Sequence, residues 1–334
     1  MILVSFGTRP EWIKISPILD AFIANNIPHK VLFTGQHEDL IKNVQNCRTL
    51  KINSGGNRLD SIICSVLNKE QIFEDISSVL VQGDTTSSFA VALAAFHRGI
   101  KVIHLEAGLR TYDKSHPYPE EFNRRAISSL ADVHFCPTEL TKVQLNSENF
   151  HENVFVVGNS VLDHLTTIQS IYNKKIIITL HRRENHDKMK LWFEVIEDLA
   201  IEYPDYEFIF PMHPNPKVQE HREILKNVNV IDPLEYKEFV QLLAECQLII
   251  TDSGGIQEEA SFLRKRCIIC RNTTERPEAL GSFSTLTTPF QLKAEFKHQL
   301  NSSIPDTECP FGDGYTSKRV VEILQELNND ERLY

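Results

Sequence analysis

The chain has 334 residues, 41% of them hydrophobic and 24% charged, with a formal net charge of −10. That is an ordinary globular composition, long enough for two domains rather than one. The acidic balance, with no lysine- or arginine-rich block, argues against a nucleic-acid or membrane-surface binder, although a local basic pocket could still hold an anion.

No run reaches membrane-spanning length, and MILVSFGTRP reads as a first strand rather than a signal peptide. Seven cysteines are scattered at 47, 64, 136, 246, 267, 270 and 309, which predicts reduced thiols in a cytoplasm. Cys267 and Cys270 form a CxxC. Ile268 and Ile269 lie between them and no second pair completes a metal site, so buried strand thiols are expected and no metal.

In chain order, short β-rich runs alternate with amphipathic helical runs, the pattern of a doubly wound parallel sheet. ILVSF (2–6) is the first strand. GTRP turns into a helix over EWIKISPILDAFIANN, with Pro10 suited to its first turn and Pro17 expected to kink it. HKVLFTG (29–35) is a second strand. LVQGDT ends another before Asp84. In the helix that follows, Phe89, Leu93 and Phe96 fall at i, i+4 and i+7, predicting one buried stripe. KVIHLEAG, VHFCPT (133–138) and VFVVGN (154–159) are further strands. SVLDHLTTIQSIYNKK predicts a helix leading out of the first unit, with a boundary near 165–174. KIIITLHR (175–182) restarts the pattern, and YEFIFPMHPNP, VNVIDP, QLIITDSGG and RCIICRN continue it. KRVVEILQEL (318–327) is a final amphipathic helix. The domains expected are 1–168, 169–316 and a terminal helix, 317–334, packing back on the first. Two similar α/β units facing a cleft are the economical architecture.

Three carboxylates, Asp84, Glu106 and Glu120, stand where strands hand over to loops and helices, the edge at which parallel α/β sheets bind ligands. Two strand–turn–helix junctions read as anion cradles. One is GTRPEWIK, where Arg9 and Lys14 add charge. The other is TDSGGIQEE, where Ser253 offers a hydroxyl, Gly254 and Gly255 admit close backbone approach, and Glu259 suits a ribose diol. The bland alternatives are a tight turn with solvated cations and a helix capped by Ser253. His181 and His213 fall at strand ends, and Arg276 follows another. No GxGxxG or Walker loop follows any strand, which predicts no bound NAD and no ATP hydrolysis.

GTRPEWIK, TGQH, GDTTSS, HLEAGLRT, PYPEEFNRR, GNSVLD, HRREN, PMHPNP, TDSGGIQEE, TTERPEA and PFGDG occur in this order. Together they resemble the non-hydrolysing UDP-N-acetylglucosamine 2-epimerases, over about residues 2–325. The resemblance implies a glycosyltransferase-B-like pair of Rossmann-like domains, usually dimeric and cytoplasmic, that interconverts UDP-GlcNAc and UDP-ManNAc for surface polysaccharide. It places Asp84, Glu106, Glu120 and His181 at catalytic positions. Arg9, Lys14, Arg124, His213, Phe239, Ser253, Gly254, Gly255, Glu259 and Arg276 match substrate-binding positions, Phe239 against uracil and Glu259 at the ribose. Gln36 and His37 match a motif linked to a second, activating UDP-GlcNAc site. The chain departs from the family pattern at Leu180, at Asp39, in GGNRLD, where the matching place lacks an arginine and Arg58 stands two positions on, and at His116.

The C2 hydrogen of such a sugar is not acidic. Without NAD, departure of UDP must develop positive charge at C1 and so acidify it, which needs a diphosphate clamp and placed carboxylates. The expected intermediate is a 2-acetamidoglucal. The alternatives are a 2-epimerase of a related UDP-sugar such as a diacetamido-glucuronate, a hydrolysing epimerase that releases ManNAc and UDP, and a UDP-sugar glycosyltransferase.

Overall fold

The computed structural model describes residues 1–36, 47–52 and 56–329; His37 and Asp39, named above, lie outside them. The chain divides into two compact units, Met1–His164 with Gly312–Tyr334, and Leu165–Phe311. The first crossing thus falls a few residues before the 168/169 boundary read from sequence, and the return a few before 316/317.

In the first unit the chain runs β1 (Ile2–Phe6), α1 (Arg9–Ala24), β2 (His29–Phe33), β3 (Cys47–Thr49), α2 (Arg58–Leu67), β4 (Ser78–Gln82), α3 (Thr86–Phe96), β5 (Lys101–Leu105), α4 (Glu120–Leu130), β6 (Val133–Cys136), α5 (Glu139–Ser147) and β7 (Val154–Val156). The strands form one parallel sheet in the order β3-β2-β1-β4-β5-β6-β7. Side chains along β1 alternate between two layers of core. Val4 and Phe6 pack with Ile18, Phe22 and Phe33, while Leu3 packs with Leu32, Val79 and Val91. That two-residue alternation with both faces covered is why the strands read as continuous apolar runs. Strand order reverses between β1 and β4, so the carboxyl ends of these strands flank a topological switch point.

Helix starts follow their caps. Thr8 caps α1 in a capping box with Glu11, Thr85 caps α3 by accepting from Ser88 N, and Thr138 caps α5. The buried stripe expected on α3 is corrected. Phe96 is 56% exposed, and the inward face is instead Ala90, Val91, Ala94 and Ala95. The helix is wedged between α2, α4 and the sheet, where small side chains allow the close approach. Phe89 instead meets Phe122 of α4 edge to face at 5.9 Å.

The second unit runs β8 (Lys175–Thr179), α6 (Met189–Glu202), β9 (Glu207–Pro211), α7 (Pro216–Gln219), β10 (Asn229–Ile231), α8 (Tyr236–Glu245), β11 (Leu248–Thr251), α9 (Gly254–Phe262), β12 (Arg266–Ile269), β13 (Ser284–Leu286) and α10 (Leu292–Asn301). Its parallel sheet has the order β10-β9-β8-β11-β12-β13, with its switch between β8 and β11. Trp192, Phe193, Phe208, Phe210 and Phe296 fill one core face. Cys267 and Cys270 are buried on and just after β12, and all seven cysteines are free thiols.

The helix expected over SVLDHLTTIQSIYNKK is not formed. Ser160–Leu165 makes a short 3-10 turn, and the chain after it is irregular. Its polar groups have partners elsewhere in the second unit. Ile171 N donates to Ala244 O and Asn173 N to Glu245 O, and Ser170 Oγ donates to Leu263 O. Thr166, Thr167 and Ile168 are β-branched and weak helix formers, so these tertiary bonds win. The last helix, α11 (Thr316–Asn329), belongs to the first unit. Asp163 caps it, accepting from Thr316 N at 3.1 Å and Ser317 N at 2.8 Å, and Val320, Val321, Leu324 and Leu327 join the α1 core face.

Candidate active site

In the first unit two strand-end turns are tied together by a carboxylate the sequence reading did not single out. Glu11 is buried in the first turn of α1. Its Oε2 accepts from Gly7 N (2.9 Å), Thr8 N (2.7 Å) and Thr8 Oγ1 (2.8 Å), and its Oε1 from Thr85 Oγ1 and Ser88 Oγ, both at 2.7 Å. The GTRP and GDTT turns are therefore one rigid unit at the switch point. A side-chain carbon on Gly7 would collide with Ser87 and Thr34, which explains a glycine there. Gln36 joins the same cluster, accepting from Ser87 Oγ at 2.7 Å through Oε1 and from Arg58 through its carbonyl.

Glu106 follows β5 with φ +65°, and Gly83 follows β4 with φ +68°. Gly83 N donates to Leu105 O at 2.9 Å, so the two strand ends turn out together. Lys14 Nζ donates to both Glu106 oxygens, at 2.5 and 2.7 Å. Asn159 Nδ2 donates to Oε1 at 3.1 Å and Gln82 Nε2 to Oε2. Asp84 is ion-paired to Arg124 of α4, and its carbonyl accepts from Asn123 Nδ2 at 2.9 Å. Arg124 also lies 3.4 Å from Glu121, a fully buried acid that accepts from Thr111 N and Tyr112 N. Glu120 is the first residue of α4, half-buried, with Oε2 shut off from solvent. The three acids thus stand in one unit, on neighbouring strand ends and the helix that pairs with them. Arg9 is half-buried at the start of α1.

Beneath them lies a histidine pair. His104 of β5 and His134 of β6 are register partners. His104 Nε2 donates to Gly83 O at 2.8 Å. Burial pulls His104 down from 6.5 to about 4 and His134 to about 3, so both are neutral at ordinary pH.

The second unit has a different construction. Asp252, immediately after β11, is fully buried. Its carboxylate accepts from His181 N (3.0 and 3.1 Å), Arg182 N (2.8 Å) and Asn185 Nδ2 (3.0 Å). It therefore fixes the backbone that presents His181. The His181 ring stacks on His213 with centroids 5.5 Å apart, and its Nδ1 lies 3.6 Å from Asp252 Oδ1. Burial lowers the pKa of His181, with the Asp252 charge opposing; burial also lowers that of His213. A neutral imidazole at this place can exchange a proton.

Ser253 occupies the cap position of α9, but its hydroxyl makes no capping bond, so the capping alternative does not account for it. A Cβ on Gly254 would lie 2.6 Å from Arg276 Nη1 and 2.7 Å from Glu275 Oε1, so a side chain there would displace that buried ion pair. At Gly255 a Cβ would meet open space. Arg276 is buried and bonded to Glu258 (2.5 Å) and Glu275 (2.9 Å). Burial opposes ionisation of Glu275, but Arg276 and Arg271 overcome it and hold the carboxyl well below its usual range. Glu259 accepts from Tyr236 OH at 2.9 Å; burial and this carboxylate push the phenol far above its usual range. Phe239 stands half-buried on α8, the helix that Tyr236 opens. Within this unit His181 and His213 meet, as do Gly254 and Arg276. The residues missed by sequence reading are Glu11, Gln82, Asn159, Asp252, Glu258 and Glu275. Asp252 alone left a signal, an acid between a buried strand and a glycine turn. Among the described residues no group of three or more His, Cys, Asp or Glu side chains is arranged to hold a metal, and no helix is long and apolar enough to cross a membrane.

Two Rossmann-like parallel-sheet units, one carrying strand-end carboxylates and the other a Ser-Gly-Gly helix start, define an enzyme of the glycosyltransferase-B-like class. Comparison with known proteins sharpens this. The family model "UDP-N-acetylglucosamine 2-epimerase" matches residues 22–325, and the chain belongs to that family. It is 39% identical to the UDP-N-acetylglucosamine 2-epimerase of Neisseria meningitidis, covering 97% of this chain and 98% of the relative. It is 37% identical to that of Bacillus subtilis, covering 97% and 94%. Among solved structures it is similar to the Neisseria meningitidis UDP-GlcNAc 2-epimerase bound to UDP-GlcNAc, with TM-score 0.86, 37% identity and coverage of 97% and 99%. MurG of Acinetobacter baumannii, 11% identical at TM-score 0.58, shares the fold alone.

Proposed function

We propose that this enzyme interconverts UDP-GlcNAc and UDP-ManNAc by eliminating UDP and adding it back, without NAD or metal. The observation that carries this reading is the set of strand-end acids, Asp84 and Glu106 with Glu120, interleaved with Lys14 and Arg124 in the first unit. In the forward step the C1–O bond breaks and its electron pair leaves with UDP. The C2–H electrons form the C1=C2 bond of a 2-acetamidoglucal, and the C2 proton passes to a carboxylate. Re-addition reverses this, with a proton delivered to the other face of C2. Delivery to two faces calls for more than one acid/base group.

In the second unit the Ser253-Gly254-Gly255 turn takes the diphosphate, Glu259 the ribose diol and Phe239 the uracil ring; Arg9 offers its charge to an anion at the α1 start of the first unit. Helix N-termini suit such anions. His181, whose pKa is lowered by burial, donates an imidazole N–H hydrogen bond to a phosphate oxygen of the departing diphosphate. His213 supports its ring. Arg276 backs the turn that receives the phosphates. The product feeds surface polysaccharide. The enzyme works in the cytoplasm as a homodimer; the exposed Phe96 and Phe122 support an apolar interface, and analytical ultracentrifugation tests it. Gln36, bonded to Ser87 and reached by Arg58, belongs to a motif linked to a second UDP-GlcNAc site in relatives, read here as vestigial.

Incubation with UDP-GlcNAc in D₂O without acceptor, followed by NMR, tests the reading. UDP-ManNAc carrying deuterium at C2 is expected. Free ManNAc would transfer the assignment to the hydrolysing branch. No change would overturn the substrate and leave a related UDP-sugar or a glycosyl transfer.

A further inference from the structure

The acids of the first unit are not equivalent. Glu106 accepts from the Lys14 ammonium and from the amides of Gln82 and Asn159, and its side chain is 7% exposed. A carboxylate that receives charge-assisted and amide N–H bonds together is stabilised as the anion, because protonation would set an O–H against a donor. The Asn159 amide has only one sensible orientation. Its Oδ1 accepts from Val161 N at 3.3 Å, which leaves the NH₂ to face Glu106. Gln82 is buried at the end of β4. The left-handed backbone of Glu106 and the neighbouring turn at Gly83, whose carbonyl is held by His104, aim the carboxylate at these donors.

We propose that Gln82 and Asn159 are positioning residues that lock Glu106 as an anion. Glu106 is then ionised in the resting enzyme and ready to face the positive charge developing at C1. This inference rests on the epimerisation proposed above. Each amide acts through Glu106.

The test measures kcat, KM and the pH profile of kcat for Gln82→Met, which keeps the side chain's length and removes the donor, and for Asn159→Asp, which sets a second carboxylate against Glu106. Gln82→Met should lower kcat about tenfold and move the acid limb toward neutral pH by about one unit, with KM within about twofold. Asn159→Asp should lower kcat by about 100-fold with a larger displacement of the same limb. A purely structural role would lower the melting temperature and leave the limb in place. If both variants fold and keep the wild-type limb, the proposal is wrong. If Asn159→Asp does not fold, Gln82→Met decides. An active wild type with unmoved variants rejects this inference alone, whereas a wild type that exchanges no deuterium at C2 rejects the proposed function with it.

Discussion

Glu106 and Asp252 are both acids at the end of a parallel strand, and they are put to opposite uses. Glu106 is approached by side chains: Lys14 from α1, Gln82 from β4 and Asn159 from beyond β7. Asp252 is approached mainly by backbone, through His181 N and Arg182 N. Side-chain partners leave a carboxylate tunable by one substitution at a time. Backbone partners make it part of the scaffold. The first unit therefore gathers ion-paired acids at its sheet edge, whereas Asp252 of the second fixes the backbone that presents His181. Arg276 shows the same contrast. Its charge is matched internally by Glu258 and Glu275, whereas Lys14 and Arg124 pair with the very acids that the proposed reaction uses.

The largest effect that would break this contrast is at the acids. Asp84→Asn, Glu106→Gln and Glu120→Gln should each lower turnover by roughly 100- to 10,000-fold while UDP binding, read by calorimetry, changes little. Near-normal turnover in all three would remove the chemistry from the first unit. Next comes Asp252→Ala, which leaves buried N–H groups without an acceptor. It should cost on the order of 3 kcal/mol of stability in chemical denaturation and weaken UDP binding together with turnover. Loss of turnover with full stability and UDP affinity would make Asp252 a catalytic group instead.

Acid should separate the units as well. His104 is neutral in the fold and has its pKa lowered to about 4, so the unfolded chain binds more protons between pH 6.5 and pH 4. The stability it contributes is complete above about pH 6.5 and is lost as pH falls toward 4, up to on the order of 3 kcal/mol. Hydrogen exchange should show β5 and β6 losing protection over that window, and His104→Gln should flatten the dependence. The smallest effect is expected at Glu259→Gln, with about tenfold weaker UDP binding and kcat nearly unchanged. A fall in kcat at constant affinity would contradict a nucleotide-holding role for Glu259.

Much of the fold was legible because parallel strands covered on both faces are short apolar runs, and because capping residues such as Thr8 mark where helices begin. Edge strands β3 and β13 lie in sequence with no apolar run, whereas the equally short edges β7 and β10 were marked by VFVV and VNVI. The segment after Val161 read as a helix, yet its backbone bonds lie across the second unit at Ala244 and Glu245. On α3 the spacing of Phe89, Leu93 and Phe96 was a true helical period but not the buried face. Period alone cannot tell a large residue packed inward from one excluded by a close neighbour. The candidate acids were visible because a strand-to-loop handover can be read locally. Their partners were not, since Asn159 is 53 residues from Glu106 and Arg124 is 40 from Asp84.

What the sequence determined by itself was local: strand runs, capped helix starts, two glycine-bearing turns, and acids at strand ends, each set by a few neighbouring residues. Only the tertiary structure decided that Glu11 joins two turns, that Glu106 is clamped by Lys14, Gln82 and Asn159, and that Asp252 holds the backbone of His181. Those outcomes need side chains distant in sequence to arrive at the carboxyl-end edge of their own sheet. The desolvation that makes each bond count exists only once both sheets have closed over their cores.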